Sequence, residues 1–281
     1  MRGLMRALLA AVGIVIAACS GGSTVVTAPS PTSSAPSPSA SAAQSTEPPA
    51  ATPVPGDSPA AAGVDSLSTI GVGHLVAPHQ DTGYIAFFDI RQPPGLQANL
   101  GHQGGFIYML DGAVRISELG APPVEVKTDN AGYINWGASH SAENPGSSES
   151  HAYFLSENNA VFRANSGDGF PQVTKVLYSS ATLPTFQMVP HTMRLDRVVL
   201  ASGGRTAAHT SGGAHGFLVL EGSIEVRTQG AHTFLSAGKA SSVALGKAVQ
   251  ILNTNSTATR YLDFSFTADD QPFETALDRA P

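Results

Sequence analysis

A single cysteine, Cys19, stands in the 281-residue chain, so no intramolecular disulfide can form and the folded part must hold by core packing. Charge is also scarce: Asp, Glu, Lys and Arg make up 13% of residues, the formal net charge is −6, and there is no basic cluster. That balance argues against nucleic acid as a partner. No stretch keeps a 3.6-residue apolar period over helical length, and no run is long enough to span a bilayer as a permanent helix. The Gly-x-Ser-x-Gly elbow, the Walker loop, the His-Glu-x-x-His pair and the dinucleotide fingerprint are all missing.

What is present divides into segments. Arg2 and Arg6 precede an uncharged run, ALLAAVGIVIAAC, that ends at Cys19. Thirteen residues reach roughly 20 Å as a helix, short of the ~30 Å hydrocarbon layer, so residues 1–19 read as a signal peptide. Its end, Ile16-Ala17-Ala18-Cys19, resembles the bacterial lipobox. That resemblance implies lipidation of Cys19, a lipid bilayer as partner, and a position outside the cytoplasm, at the cell surface or in the periplasm. Residues 20–63 are rich in Ser, Thr, Pro and Ala, with nine of the chain's twenty prolines between Pro29 and Pro59. Such a segment buries too little apolar surface to fold and is expected to be a disordered linker.

Beyond Gly63 the sequence repeats itself. GFIYMLDGAVRI (105–116) and HGFLVLEGSIEV (215–226) both run apolar into an acid-Gly turn and then alternate out, the pattern expected of a β-hairpin. HAYFLS (151–156) and YLDFSF (261–266) fall in step with them. Two halves, 64–178 and 179–281, rich in Val, Ile, Phe and Thr and punctuated by glycine, predict an all-β protein of two tandem barrels. Helical turns are expected only in connections and in the C-terminal PFETALDRA.

The glycine spacing of both halves is similar to that of the cupin superfamily, whose motifs are G-x5-H-x-H-x3-E-x6-G and G-x5-P-x-G-x2-H-x3-N. Gly203, His209 and Gly222 fit the first motif, with Ser211 at the second histidine position and His215 at the glutamate position. Gly238, Gly246 and Asn253 fit the second, with Ala244 for the proline and Val249 for the histidine. In the first half Gly112, Gly137, His140 and Asn144 are retained, while Asn99, Gly101 and Gly105 stand at the ligand positions. The resemblance implies two jelly-roll barrels (double-stranded β-helices) with ligand mouths.

The resemblance also implies candidate mouth residues: His209, Ser211 and His215 in the second half, and His140, Asn99, His102 and Trp136 in the first. Family members hold a divalent metal with three histidines and a glutamate. Here most of those ligands are replaced, so the expectation is a non-catalytic protein that binds a small molecule or sugar, without a metal cofactor. The alternative is a metal-dependent enzyme of oxygenase, decarboxylase or sugar-isomerase type, with metal ligands drawn from His209, His215, His140 and His102.

Overall fold

The structure is a computed structural model and describes residues 60–76, 83–101, 104–136, 140–159, 174–181 and 189–281. The signal segment with Cys19, most of the linker and His102 lie outside the described residues. Every regular element among the described residues is a β-strand.

The first half contributes β1 (Ala62–Leu75), β2 (Gly83–Gln92), β3 (Gln97–Gly101), β4 (Gly104–Asp111), β5 (Ala113–Glu118), β6 (Val124–Lys127), β7 (Ala131–Ile134), β8 (His140–Glu143) and β9 (Ser150–Asn159). After β10 (Thr174–Ser179), the second half contributes β11 (His191–Arg205), β12 (His209–Ser211), β13 (Gly213–Glu221), β14 (Ser223–Thr228), β15 (Ala231–Ser236), β16 (Ala240–Val243), β17 (Ala248–Leu252), β18 (Thr259–Ala268) and β19 (Glu274–Ala276).

In the first half, a sheet of order β10-β2-β9-β4-β7 faces a sheet of order β3-β8-β5-β6. In the second half, the path β15-β14-β17-β11-β18-β13-β16 forms one continuous sheet. β1 of the first half pairs antiparallel with β11 of the second, while β10, at the junction of the halves, pairs with β2 of the first.

The two acid-Gly turns are not hairpins, contrary to the sequence expectation. The strand before each turn and the strand after it join different partners: β4 pairs with β7 and β9, whereas β5 pairs with β6 and β8. The second half repeats this, β13 pairing with β16 and β18, and β14 with β15 and β17. The turn is therefore a corner at which the chain crosses between the walls of a barrel. Gly112 (φ 76°) and Gly222 (φ 74°) supply the left-handed backbone the corner needs, and a Cβ on Gly222 would lie 2.4 Å from Thr259 Oγ1. The C-terminal PFETALDRA holds no helical turn; its middle is the short strand β19, which adds to the edge of β12. An edge with unpaired backbone groups outweighs the weak local helical pattern there.

Period-two alternation sorts the side chains. On β18 the even positions Leu262, Phe264 and Phe266 pack with Ile85, Phe87, Phe106, Tyr108 and Leu155 in a core common to the two halves. Phe264 meets Phe87 and Phe106 edge-on, each at 6.1 Å between ring centroids. Full burial of each ring contributes about 1.5–3 kcal/mol, which is how the fold holds without a disulfide. The odd positions face the barrel interior, where Tyr261 joins Val198, Phe217, Val219, Ile224 and Ile251. Asn253, a motif residue, donates to the carbonyls of Leu200, Ala201 and Thr257, and Asn144 makes the corresponding clamp onto Gln92 and Ser148. These motif asparagines serve the barrel's loops and require no ligand.

Candidate functional site in the C-terminal barrel mouth

Two glycines set the entrance. A Cβ on Gly212 would lie 1.9 Å from the Pro272 carbonyl, and one on Gly213 would lie 1.8 Å from the Phe266 carbonyl. Only glycine lets the chain pass from β12 into β13 under the C-terminal segment. As a result His209 and Ser211, alternating on β12, share a face, and His215 on β13 comes up beside them.

His209 is buried, 4% exposed, and its Nδ1 lies 3.0 Å from the Ala207 carbonyl. A carbonyl only accepts, so Nδ1 is the donor, and in the neutral ring Nε2 is then the acceptor. That Nε2 is buried and has no hydrogen-bond partner among the described residues. The His209 and His215 rings lie 5.5 Å apart, centroid to centroid. His215 is buried; its Nδ1 meets Ser211 Oγ at 2.8 Å and its Nε2 closely contacts Asp263 Oδ1. Burial alone would push the His215 imidazole down, but the charge and hydrogen bond of Asp263 outweigh it and hold the ring's proton above its usual range.

Asp263 reaches the site from β18, with Tyr261, Ser265 and Thr267 on the same inward face. Opposite, on β11, Arg194 Nε pairs with Asp196 Oδ2 at 2.7 Å, and its guanidinium also binds Glu274 at 3.1 Å and lies over the Phe273 ring at 4.4 Å. Phe273 and Glu274 belong to the C-terminal segment, which therefore forms part of the mouth's wall. Burial raises the Asp196 carboxyl, although Thr69 of β1 donates to it at 2.6 Å. Burial first, and then the carboxylates of Asp263, Glu274 and Asp196, push the Tyr261 phenol well above its ordinary value, so it stays a neutral hydroxyl.

The structure thus brings together three of the residues expected from the sequence, His209, Ser211 and His215. Val249 pairs with His209 across β17 and is fully buried, so that wall is apolar as its sequence position indicates. Asp263 is the residue the motif comparison missed, because neither motif has a position on β18. The signal that could have found it is the alternation in YLDFSFT, where Asp263, Ser265 and Thr267 recur between large apolar residues.

Among the described residues, the first half offers no counterpart to this cluster. The pairing Ile107↔Phe154 occupies the place of Phe217↔Asp263, so an apolar ring stands where Asp263 does, and Gly105 takes the place of His215. His140 is buried on β8, opposite Gly101 and Glu118. Asn99 lies on β3, opposite Ser141. Trp136 packs over Gly104, where an added Cβ would lie 2.5 Å from the indole, and joins the apolar core common to both halves.

No protein family's sequence profile matches the chain, and no curated protein matches it. Solved structures do. The oxalate decarboxylase of Lactobacillus farciminis, in a formate complex, superposes with a TM-score of 0.51 at 11% identity, over 78% of this chain and 90% of that one. The Bacillus subtilis oxalate decarboxylase, described with Mn(II) centres, gives 0.50 at 11% identity, over 78% of this chain and 81% of that one. A salicylate 1,2-dioxygenase of Pseudaminobacter salicylatoxidans gives 0.44 at 14% identity, over 66% of this chain and 70% of that one. The chain has the cupin fold, and its all-β jelly-roll architecture is the one the sequence predicts.

The expectation of a non-catalytic binding protein is overturned: two of the solved structures that share the fold are oxalate decarboxylases, one of them described with Mn(II) centres. That expectation rested on counting ligands at motif positions, and Asp263 stands at none of them.

Proposed function

We propose that the chain is a metal-dependent enzyme of the cupin type, working at the mouth of the second barrel. The observation that carries this reading is His209 Nε2, buried without a partner among the described residues, beside the His215 imidazole, which itself contacts the Asp263 carboxylate. Among the described residues, no three His, Cys, Asp or Glu side chains converge closely enough to hold an ion as they stand, and His215 Nε2 and Asp263 are engaged with each other. His209, His215 and Asp263 are the residues that would hold a divalent ion, with the His215 proton displaced. His209, His215 and Asp263 then offer two imidazoles and one carboxylate, a donor set suited to iron or manganese.

The supporting bonds fit the same reading. A ligating histidine commonly donates its other ring N–H to a carbonyl, as His209 does to Ala207, and Ser211 occupies the second nitrogen of His215. When bound, the ion would supply Lewis acidity toward a substrate oxygen. Tyr261 is a neutral donor, and the C-terminal segment with Phe273 and Glu274 holds Arg194 in place and narrows access for water. Decarboxylase, oxygenase and sugar-isomerase chemistry all begin from such a centre. In this reading the first barrel is a degenerate copy whose role is structural.

Full-length chain purified without a histidine tag and dialysed against Mn(II) or Fe(II) should retain close to one equivalent of metal. His209→Ala should reduce retention at least tenfold, with a small change in melting temperature. Retention of less than a tenth of an equivalent by the parent chain contradicts the proposal.

We also propose, on the sequence alone, that Cys19 is acylated and tethers the barrels outside the cytoplasm. Cys19→Ala should then move the protein from the membrane fraction to the soluble or secreted fraction. A variant that stays with membranes after a carbonate wash excludes the anchor.

A further inference from the structure

His209 Nε2 is buried, so neither an ion nor a substrate reaches it unless part of the surrounding wall moves. The elements of that wall are held unequally. β17 is paired along both edges, to β14 on one side and to β12 and β11 on the other, and β13 runs between β16 and β18. Among the described residues β19 pairs with β12 alone, at His209↔Ala276, Thr210↔Thr275 and Ser211↔Glu274, and all of β19 is exposed. Two backbone bonds outside that register fasten the same segment, from the Gly212 N–H to the Phe273 carbonyl and from the Leu277 N–H to the Ala208 carbonyl. A strand with one neighbour and nothing packed over it opens at a small fraction of the cost of unfolding the barrel.

The opposite wall supplies a latch. Arg194 of β11 is fixed from within the mouth by Asp196, whose side chain is 3% exposed. Toward the segment it meets Glu274 Oε1 at 3.1 Å and lies over the Phe273 ring at 4.4 Å. The Glu274 side chain is 43% exposed, so water and salt compete for that pair and not for the buried one. Residues 272–277 therefore bridge the mouth, hydrogen-bonded to β12 on one wall and ion-paired to β11 on the other. Where the segment leaves β18, the Asp269 N–H donates to the Pro190 carbonyl and the Thr192 hydroxyl donates to the Asp269 carboxylate, which gives the segment a fixed pivot.

We propose that residues 272–277 are a strap that opens and closes over the C-terminal mouth, pivoting at Asp269 and latched by Arg194, and that its opening admits an ion and a substrate to His209. The part played by the ion and the substrate rests on the reading of that mouth as the active site.

The test locks the strap. Thr210 and Thr275 are register partners, and Thr210 lies between the inward His209 and Ser211, so a disulfide in the Thr210→Cys, Thr275→Cys chain forms outside the mouth, at a separation such a bond spans. Cys19→Ala in the same full-length chain removes the one other thiol. The probe is diethyl pyrocarbonate, which acylates an imidazole nitrogen that carries no proton, with modification of His209 followed by peptide mass spectrometry. His209 should react in the reduced chain, oxidation should slow the reaction at least tenfold, and a reductant should restore it. Glu274→Gln and Phe273→Ala, which undo the latch without any disulfide, should each speed the reaction of the parent chain at least threefold. In hydrogen exchange on the parent chain, the Leu277 amide should be at least a hundredfold less protected than the amides of β18. Equal rates in the oxidised and reduced chains, latch variants no faster than the parent, or a Leu277 amide as protected as β18, which would mean that His209 is reached only by global unfolding, each overturn the proposal. Loaded with Mn(II), the oxidised chain should also release the ion to EDTA at least tenfold more slowly than the reduced one. A chain that retains no Mn(II) yet protects His209 when oxidised loses the metal reading and keeps the strap. One that retains Mn(II) and releases it equally fast in both states loses the strap and keeps the metal reading.

Discussion

Glu157→Gln is expected to raise the melting temperature by on the order of 10 °C at pH 8 and to have almost no effect at pH 4. Glu157 ends the buried part of β9, opposite Ile85 and Gly104, and burial pushes its carboxyl up to about 7, against the smaller opposite pull of the Trp136 indole. The ordinary glutamate value is about 4.3. The folded chain therefore keeps the proton to higher pH than the unfolded chain does, and folding takes a proton up between those two values. Stability must fall as pH rises through that window, with the whole cost present above about pH 7 and none below about pH 4. The cost is roughly 3 kcal/mol, and for a folded region of this size each kcal/mol moves the transition by about 2–4 °C. Glutamine keeps the shape and an acceptor for the indole but never ionises. Melting curves of both proteins from pH 4 to pH 8 should converge at the acid end and separate at the alkaline end. Parallel curves would mean that Glu157 is solvated.

Asp263→Asn is expected to lower metal retention at least a hundredfold and to remove activity with it, while the barrel stays folded. The substitution keeps size and a hydrogen-bond acceptor for His215 but removes the charge that an ion would neutralise, and removal of even a supporting group in a metal site commonly lowers affinity ten- to a hundredfold. Ser211→Ala, which touches only the far nitrogen of His215, should have a smaller effect. Retention by equilibrium dialysis separates the two. Equal losses in both variants would place the ion elsewhere.

Much of the fold is legible in the sequence, and the reason is local. Alternation along strands such as GFIYMLD and HGFLVLE fixes which side chains face inward, and the recurrence of that pattern about 110 residues later fixes that there are two halves. Alternation does not say which strand is the neighbour. An acid-Gly turn between two alternating runs reads as a hairpin, yet Gly112 and Gly222 turn the chain from one wall of a barrel to the other, because the two flanking strands pair with different neighbours. The crossing of β1 to the opposite half is also invisible, since pairing partners far apart in sequence leave no local mark.

The site divides in the same way. His209, Ser211 and His215 follow from motif spacing, because three positions on one short strand pair are a local matter. Asp263 does not. Setting HAYFLS against YLDFSF aligns Asp263 with Tyr153, whereas the strand registers place Phe154 there, and a slip of one residue exchanges the two faces of a strand. On the wrong face Asp263 is a surface charge, and on the right one it meets His215.

The most direct test of the central claim is anomalous diffraction at the manganese edge from crystals of the full-length chain grown with Mn(II). The account predicts one strong peak per chain in the C-terminal mouth, within bonding distance of His209 Nε2, His215 Nε2 and an oxygen of Asp263, with the His215–Asp263 hydrogen bond gone. A well-ordered mouth without a peak, its His215–Asp263 pair intact, or a peak beside His140 in the first barrel, would contradict it.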